Sequence, residues 1–324
     1  MKQNRLKIGL VLASVTAVAA GCGTGSSSSS SDDGKGGLEQ SSVSVGVLPL
    51  ADYAAAYWAD DHGFFKKHGL KVKLETLQGG PVGVQKVITG ELQFSFSNSI
   101  SSTIASAKGA PVKTVALTSS LGPKTQAIVV KPDSKIKSID DLDGKTIGVN
   151  TVNNIGDVNF KNLAKSTGLK VKPEWVEVPF PEMIDGVRNG SIDAGYVPEP
   201  FASAASAAGL RTVVDLVTGP NVALPAATFV TSDSYVAKNP KTVAAFQAAI
   251  NEASKDISAN ENEFRKWLPT VSQTPVEAAK VMKLPIFESS LTNEKMQRVA
   301  DILIGLDLVE GGYKAAGHSV ISGN

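Results

Sequence analysis

The chain is short of the residues that most often carry out chemistry. Its 324 residues hold one cysteine, Cys22, and three histidines, His62, His68 and His318. One thiol forms no disulfide within the chain, and a cysteine-rich zinc site is excluded on the same ground. His62 and His68 stand six apart, not at the three- or four-residue spacing that brings two ligands onto one helical face, so no metal site is expected. Charge of one sign is missing too. The 32 Lys and Arg nearly balance the 31 Asp and Glu, which leaves no basic field to hold nucleic acid. "LDGKTIG" has Gly144, Lys145 and Thr146, yet Ile139 stands where a phosphate loop requires its first glycine. "SNSIS" does not match the Gly-x-Ser-x-Gly nucleophile elbow. What is present is 42% hydrophobic and 19% charged, an ordinary globular balance, in a length that implies two lobes or domains.

The N-terminus explains the lone thiol. Lys2, Arg5 and Lys7 precede an uncharged run from Ile8 to Ala20, followed by small residues, which is the layout of a signal peptide over residues 1–21. The run has 13 residues, short of the roughly 20 that span a bilayer as a permanent helix. The tetrapeptide "AAGC" resembles the bacterial lipobox, with Ala19 where Leu is usual, and the resemblance makes Cys22 the lipidated residue. Two acyl chains provide stable anchoring where one holds only marginally. From Gly23 to Ser42 the chain is polar and of low complexity, so residues 22–42 are expected to be an anchor and flexible tether.

Beyond the tether, short β-branched runs alternate with helical stretches. Strands are expected at Ser42 to Leu50, Val72 to Leu77, Leu92 to Ser99 and Val112 to Ser120, with helices between them. A second series follows "QAIVVKPDS", with strands around "TIGVN", "PEWVEVPF", "DAGYVPEP" and "RTVVDLV". This rhythm implies two α/β lobes with mostly parallel sheets. After "AATFVTSDSYV" the remainder reads as mostly helical.

Four stretches, "YWADDHGFFKKHGLKVKLE", "ITGELQFSFSNS", "SIDDLDGKTIGVN" and "RNGSIDAGYVPEPF", occur in an order that resembles the solute-binding proteins of nitrate, sulfonate and taurine ABC importers. Thiamine-pyrimidine (THI5/NMT1-like) binders belong to the same superfamily. The resemblance covers Val43 to Leu306 and implies a two-lobed type II periplasmic-binding-protein fold. Lobe 1 is then expected over 43–125 plus 228–324 and lobe 2 over 126–227, with hinge crossings near Gln126 to Lys131 and Ala226 to Asp233. It also implies a monomeric binding lipoprotein on the outer face of the membrane, with no cofactor, handing a solute to a permease and its ATPase. The alternative class is a thiamine-pyrimidine synthase. Enzymes of that kind carry a cysteine-rich motif and a reactive histidine, whereas here Cys22 is the sole cysteine and no histidine lies at an expected strand end.

In open α/β sheets, ligands bind beyond the carboxyl ends of the strands, beside helix N-termini. The residues there are Leu50, Asp52 and Tyr53; Ser97, Asn98 and Ser99; Ser119 and Ser120; Asn150, Thr151, Asn153 and Asn154; Phe180; and Glu199. The ligand-binding set is expected to be Leu50, Tyr53, Ser97, Asn98, Ser99, Ser119, Thr151, Asn153 and Glu199. Ser97 to Ser99 also suit a helix cap, and the Asn-rich stretch suits a turn. Such an inventory fits a small polar molecule held by neutral hydrogen bonds. An inward Glu199 would hold an ammonium or an aminopyrimidine and repel a bare anion, which favours an aminosulfonate or an aminopyrimidine over nitrate unless Lys124 reaches the cleft.

Overall fold

The structure, a computed structural model, describes residues 37–272 and 274–321. The expected leader, Cys22 and residues 23–36 of the tether lie outside the described residues.

β1 (Ser42–Val47) begins the first sheet. Its alternation puts Val43, Val45 and Val47 inside, as a period-two pattern requires. A single 3-10 turn (Ala51–Tyr53) leads into α1 (Ala54–Asp61), and α2 (Phe64–Lys67), β2 (Lys71–Thr76), α3 (Gly80–Thr89), β3 (Phe94–Asn98), α4 (Ser99–Ala107) and β4 (Val112–Ser120) follow. The second sheet takes β5 (Gln126–Val130), β6 (Thr146–Val149), α5 (Ile155–Ser166), β7 (Glu174–Glu177), α6 (Phe180–Asn189), β8 (Ala194–Pro198), α7 (Phe201–Ala207) and β9 (Arg211–Asp215). The chain then returns to the first sheet as β10 (Pro225–Ser232). After it come α8 (Asp233–Lys238), α9 (Pro240–Ala259), α10 (Glu261–Trp267), α11 (Val276–Val281), β11 (Ile286–Phe287) and α12 (Asn293–Gly305).

The six-stranded sheet has the order β11-β4-β10-β3-β1-β2 and the five-stranded sheet the order β7-β6-β8-β5-β9. Both are mixed. β1 pairs in parallel with β2 and β3, and β6 with β7 and β8. β10 runs antiparallel to β3 and β4, and β5 antiparallel to β8 and β9, because these two strands carry the chain into each sheet from the other. The segments named above as crossings are therefore strands, each inside one sheet. The passages between sheets fall at 121–125 and 216–224, just before β5 and β10.

An aromatic stack fills the space between the six-stranded sheet and α9. Phe94 and Phe246 lie face to face at 3.9 Å, Phe65 stacks on Phe246 at 5.8 Å, and Phe229 meets it edge-on at 5.5 Å. All four are buried, and each contributes about 1.5–3 kcal/mol by leaving water. The helical spacing of Trp58, Phe64 and Phe65 predicts all three as core; Trp58 and Phe65 are buried in it, and Phe64 is half-buried against it. Trp58 in turn donates to Asp256 on α9 at 2.8 Å. The rigid body so formed holds the loops at the carboxyl ends of β1 and β3.

Candidate functional site

The loops after β1, β3, β6 and β8 converge between the two sheets. Asn98, at the end of β3, accepts from the Ser101 backbone N–H at 2.9 Å and so caps α4. Its amide also donates to Asn154 Oδ1, which caps α5 in the other lobe and accepts from Ser101 Oγ at 3.1 Å. Asp157 locks this cap by accepting from the Asn153 and Asn154 backbone N–H groups at 3.1 and 2.7 Å, and Lys161 pairs with it at 2.6 Å. Two N-capping residues, facing each other from separate sheets, thus draw the helix N-termini together at the floor of the cleft.

Glycine permits the same approach at the start of α3. A Cβ on Gly79 would meet Thr151 Oγ1 at 3.0 Å, and one on Gly80 would meet Ser97 and Ser101 hydroxyls at 3.2 and 3.3 Å. On the opposite wall, a Cβ on Gly156 would lie 2.6 Å from the Tyr196 ring. That glycine lets the first turn of α5 seat directly on the tyrosine.

Two connected spaces result. The inner chamber is small, about 30 Å³, above the threshold for holding a water-sized group. Asp52, Tyr53, Asn98, Gln126, Asn150 and Tyr196 reach it, with Phe96 and Phe180 between them. The outer pocket has about 500 Å³ and a mainly apolar lining, including Leu77, Pro179, Phe180, Pro200 and Phe201. Such a volume lies within the roughly 300–1,000 Å³ of small-molecule sites. Leu48, Leu50, Asn150 and Phe180 line both spaces, so one leads into the other. Phe180 and Phe201 stack at 5.5 Å in the pocket wall.

The charge around these spaces is one-sided. Asp52 in the chamber and Glu182 in the pocket are the ionisable acids, and neither lining contains Lys, Arg or His. Burial and the neighbouring Glu199 carboxylate push the Asp52 pKa up to about 7. Burial first, then Asp52, holds the Tyr53 hydroxyl well above its ordinary range, and burial followed by Asp52, Tyr53 and Asp157 does the same for Tyr196.

The candidates named from the sequence divide into three groups. Leu50, Tyr53 and Asn98 line the chamber, and Thr151 lies across the cleft from Gly79. Ser97, Ser99 and Ser119 are fully buried within the first lobe. Ser97 Oγ donates to the Asn98 carbonyl at 3.2 Å and Ser99 Oγ to the Pro225 carbonyl at 2.6 Å, so both serve the backbone. Ser119 sits in β4 between partner strands, and its hydroxyl lacks a partner among the described residues. Asn153 is exposed and takes a left-handed φ of 54°, which is the turn role of an Asn.

Glu199 is outside both linings. Its carboxylate accepts from Ser203 N at 3.0 Å, Ser203 Oγ at 2.9 Å and Lys283 N at 3.0 Å. The inward orientation expected for it gives way to a pin between α7 and the α11–β11 connection. Lys124 is exposed, with φ 61°, and lines neither space. Gln126, Tyr196, Leu48 and the Gly79–Gly80 pair were not legible as site residues. Gln126 falls at the first residue of a strand read as a crossing, and Tyr196 is masked by an apolar strand. The two glycines act through what they leave vacant.

The fold is that of periplasmic binding proteins. The alkanesulfonate-binding protein SsuA of Xanthomonas axonopodis pv. citri, solved with MOPS, matches over 87% of this chain and 98% of its own, with TM-score 0.73 and 17% identity. The periplasmic nitrate-binding protein NrtA of Synechocystis PCC 6803 matches over 86% and 84%, with TM-score 0.68 and 14% identity. In sequence, the taurine-binding periplasmic protein of Escherichia coli strain K12 is 26% identical across 72% of this chain and 71% of its own length. A family described as NMT1/THI5 like matches residues 51–263. The chain belongs to that family.

Proposed function

We propose that the protein is the substrate-binding component of an ABC importer, which takes a small solute into the cleft between its lobes and delivers it to a membrane permease. The observation that carries this reading is the chamber itself: Leu50, Tyr53 and Asn98 from one lobe and Asn150, Phe180 and Tyr196 from the other line one space. Contacts made by both lobes exist together only when the cleft is closed, and a ligand shifts the open–closed equilibrium only by that differential affinity. A micromolar solute requires about 8 kcal/mol, within reach of several buried hydrogen bonds and ring contacts. The relatives are binding proteins in name, which supports binding over catalysis.

Anchoring completes the proposal. Acylation of Cys22 would hold the domain outside the membrane, and among the described residues no helix is long and apolar enough to cross one. Of the solutes weighed from the sequence, one that bears an amino group, an aminosulfonate or an aminopyrimidine, suits linings that hold Asp52 and Glu182 and no basic side chain better than nitrate does. X-ray scattering on the protein with and without a solute that raises its melting temperature tests the closure: compaction is expected, and binding without compaction would refute it. Mass spectrometry of membrane-extracted protein checks the anchor, and Cys22→Ser is expected to move the protein into the soluble fraction.

A further inference from the structure

We propose that the solute is an organic cation, whose primary ammonium enters the inner chamber to pair with Asp52 and whose apolar body fills the outer pocket. This rests on the solute-binding reading and names the class of solute. Charge decides the sign. A carboxylate stands in the chamber wall, a second (Glu182) stands in the pocket wall, and neither lining holds a basic side chain. A bare anion would be repelled by both carboxylates and would find no cation in either lining, only neutral donors such as the amides of Gln126 and Asn150 and the tyrosine hydroxyls.

The carboxylate is also left unused by the fold. Asp157 and Glu199, the buried acids nearby, are each held by several donors. For Asp52, only burial and the charge of Glu199 act on its titration, with no hydrogen bond to the carboxylate among the described residues. A partly buried acid without a donor is costly, and a cation relieves that cost. Aromatic rings add to the effect: Tyr53, Phe96 and Tyr196 surround the same chamber, and rings attract cations through their faces.

Size narrows the class. The chamber is small, about 30 Å³, and suits a compact –NH₃⁺ better than a bulkier trimethylammonium head. The apolar outer pocket of about 500 Å³ is larger than a four-atom oxyanion needs and suits an aryl or alkyl body.

The titratable groups facing Asp52 are Tyr53 on its own turn and Tyr196 and Glu199 from the β8 side. None is cationic. Affinity for an ammonium is therefore expected to increase as pH rises through about 7, where Asp52 loses its proton.

The test uses the full-length protein in mild detergent with matched triads: 2-phenylethylamine, 2-phenylethanol and phenylacetate, and butylamine, butanol and butyrate. Binding is followed by calorimetry and thermal shift at pH 6 and pH 8. The amines are expected to bind best, more tightly at pH 8, and Asp52→Asn to weaken them at least tenfold while leaving the alcohols unchanged. Phenylethyl-trimethylammonium is expected to bind more weakly than 2-phenylethylamine. Preference for the anionic members, amine affinity unchanged in Asp52→Asn, or binding of no amine overturns the proposal. None of those results touches the solute-binding reading, which fails separately if native mass spectrometry of protein purified from cells finds no co-purified solute and scattering finds no compaction with any binder.

Discussion

The turn after β1 and the turn after β8 each place one carboxylate beside the cleft, and the two are put to opposite uses. After β8, Glu199 is 3% exposed and receives three hydrogen bonds, two from Ser203 and one from the Lys283 backbone. After β1, Asp52 lines the chamber and has no donor among the described residues. Burial alone therefore does not mark a functional acid. A saturated carboxylate joins segments of the fold, whereas an unsaturated one keeps its acceptor capacity for something that arrives later.

Breaking the saturated side should have the larger effect. Glu199→Ala removes the acceptor for two backbone N–H groups and a hydroxyl, and is expected to cost about 3 kcal/mol, since bonds to charged groups are worth roughly 1.5–3 kcal/mol each and stranded donors add to the loss. Urea unfolding measures it, and a cost below that of an average surface substitution would remove the pin. Next in size is Gly156→Ala. The added methyl meets the Tyr196 ring, and relief requires moving the ring into the chamber or lifting α5, at about 1–3 kcal/mol. Its thermal midpoint should fall and its solute affinity with it.

The unsaturated side is sharpened by pH. Asp52 keeps its proton up to about pH 7 in the folded protein, but releases it near 3.8 when unfolded. Between those values the folded state binds more protons, so stability falls as pH rises through the window, by an amount on the order of 1 kcal/mol at a partly solvated wall. Calorimetric melts of wild type should show this slope and Asp52→Asn should flatten it. The cation affinity runs the other way with pH, which separates the two effects. Smallest of all, Lys124→Ala is expected to change stability by less than about 0.5 kcal/mol and to leave solute affinity unaltered, because the side chain is exposed and away from the linings.

Much of the architecture was legible from local pattern. The alternation in "SVSVGV" and the β-branched run in "TIGVN" mark strands that the structure contains, and the four ordered motifs carried the family. Sheet direction was less legible. β5 and β10 read as crossings between lobes, yet each is a strand running antiparallel to its neighbours because it enters its sheet from the other lobe, a fact of topology that composition does not encode. At the site, Leu50, Tyr53 and Asn98 were within reach of the rule that ligands meet strand ends. Ser97 and Ser99 satisfy the same rule but turn their hydroxyls to backbone carbonyls.

The sequence by itself determined the alternation of strands and helices, the near-neutral charge, the absence of a second thiol and the set of acids and amides placed at strand ends. Those follow from periodicity and residue chemistry along a few consecutive positions. Only the tertiary structure decided that Asp52 faces the chamber while Glu199 turns toward Ser203 and Lys283. The reason is physical: a carboxylate's role depends on which donors lie within about 3 Å, and while Ser203 is a near neighbour of Glu199, the donor that ties it to another part of the fold comes from a segment 84 residues away in the chain.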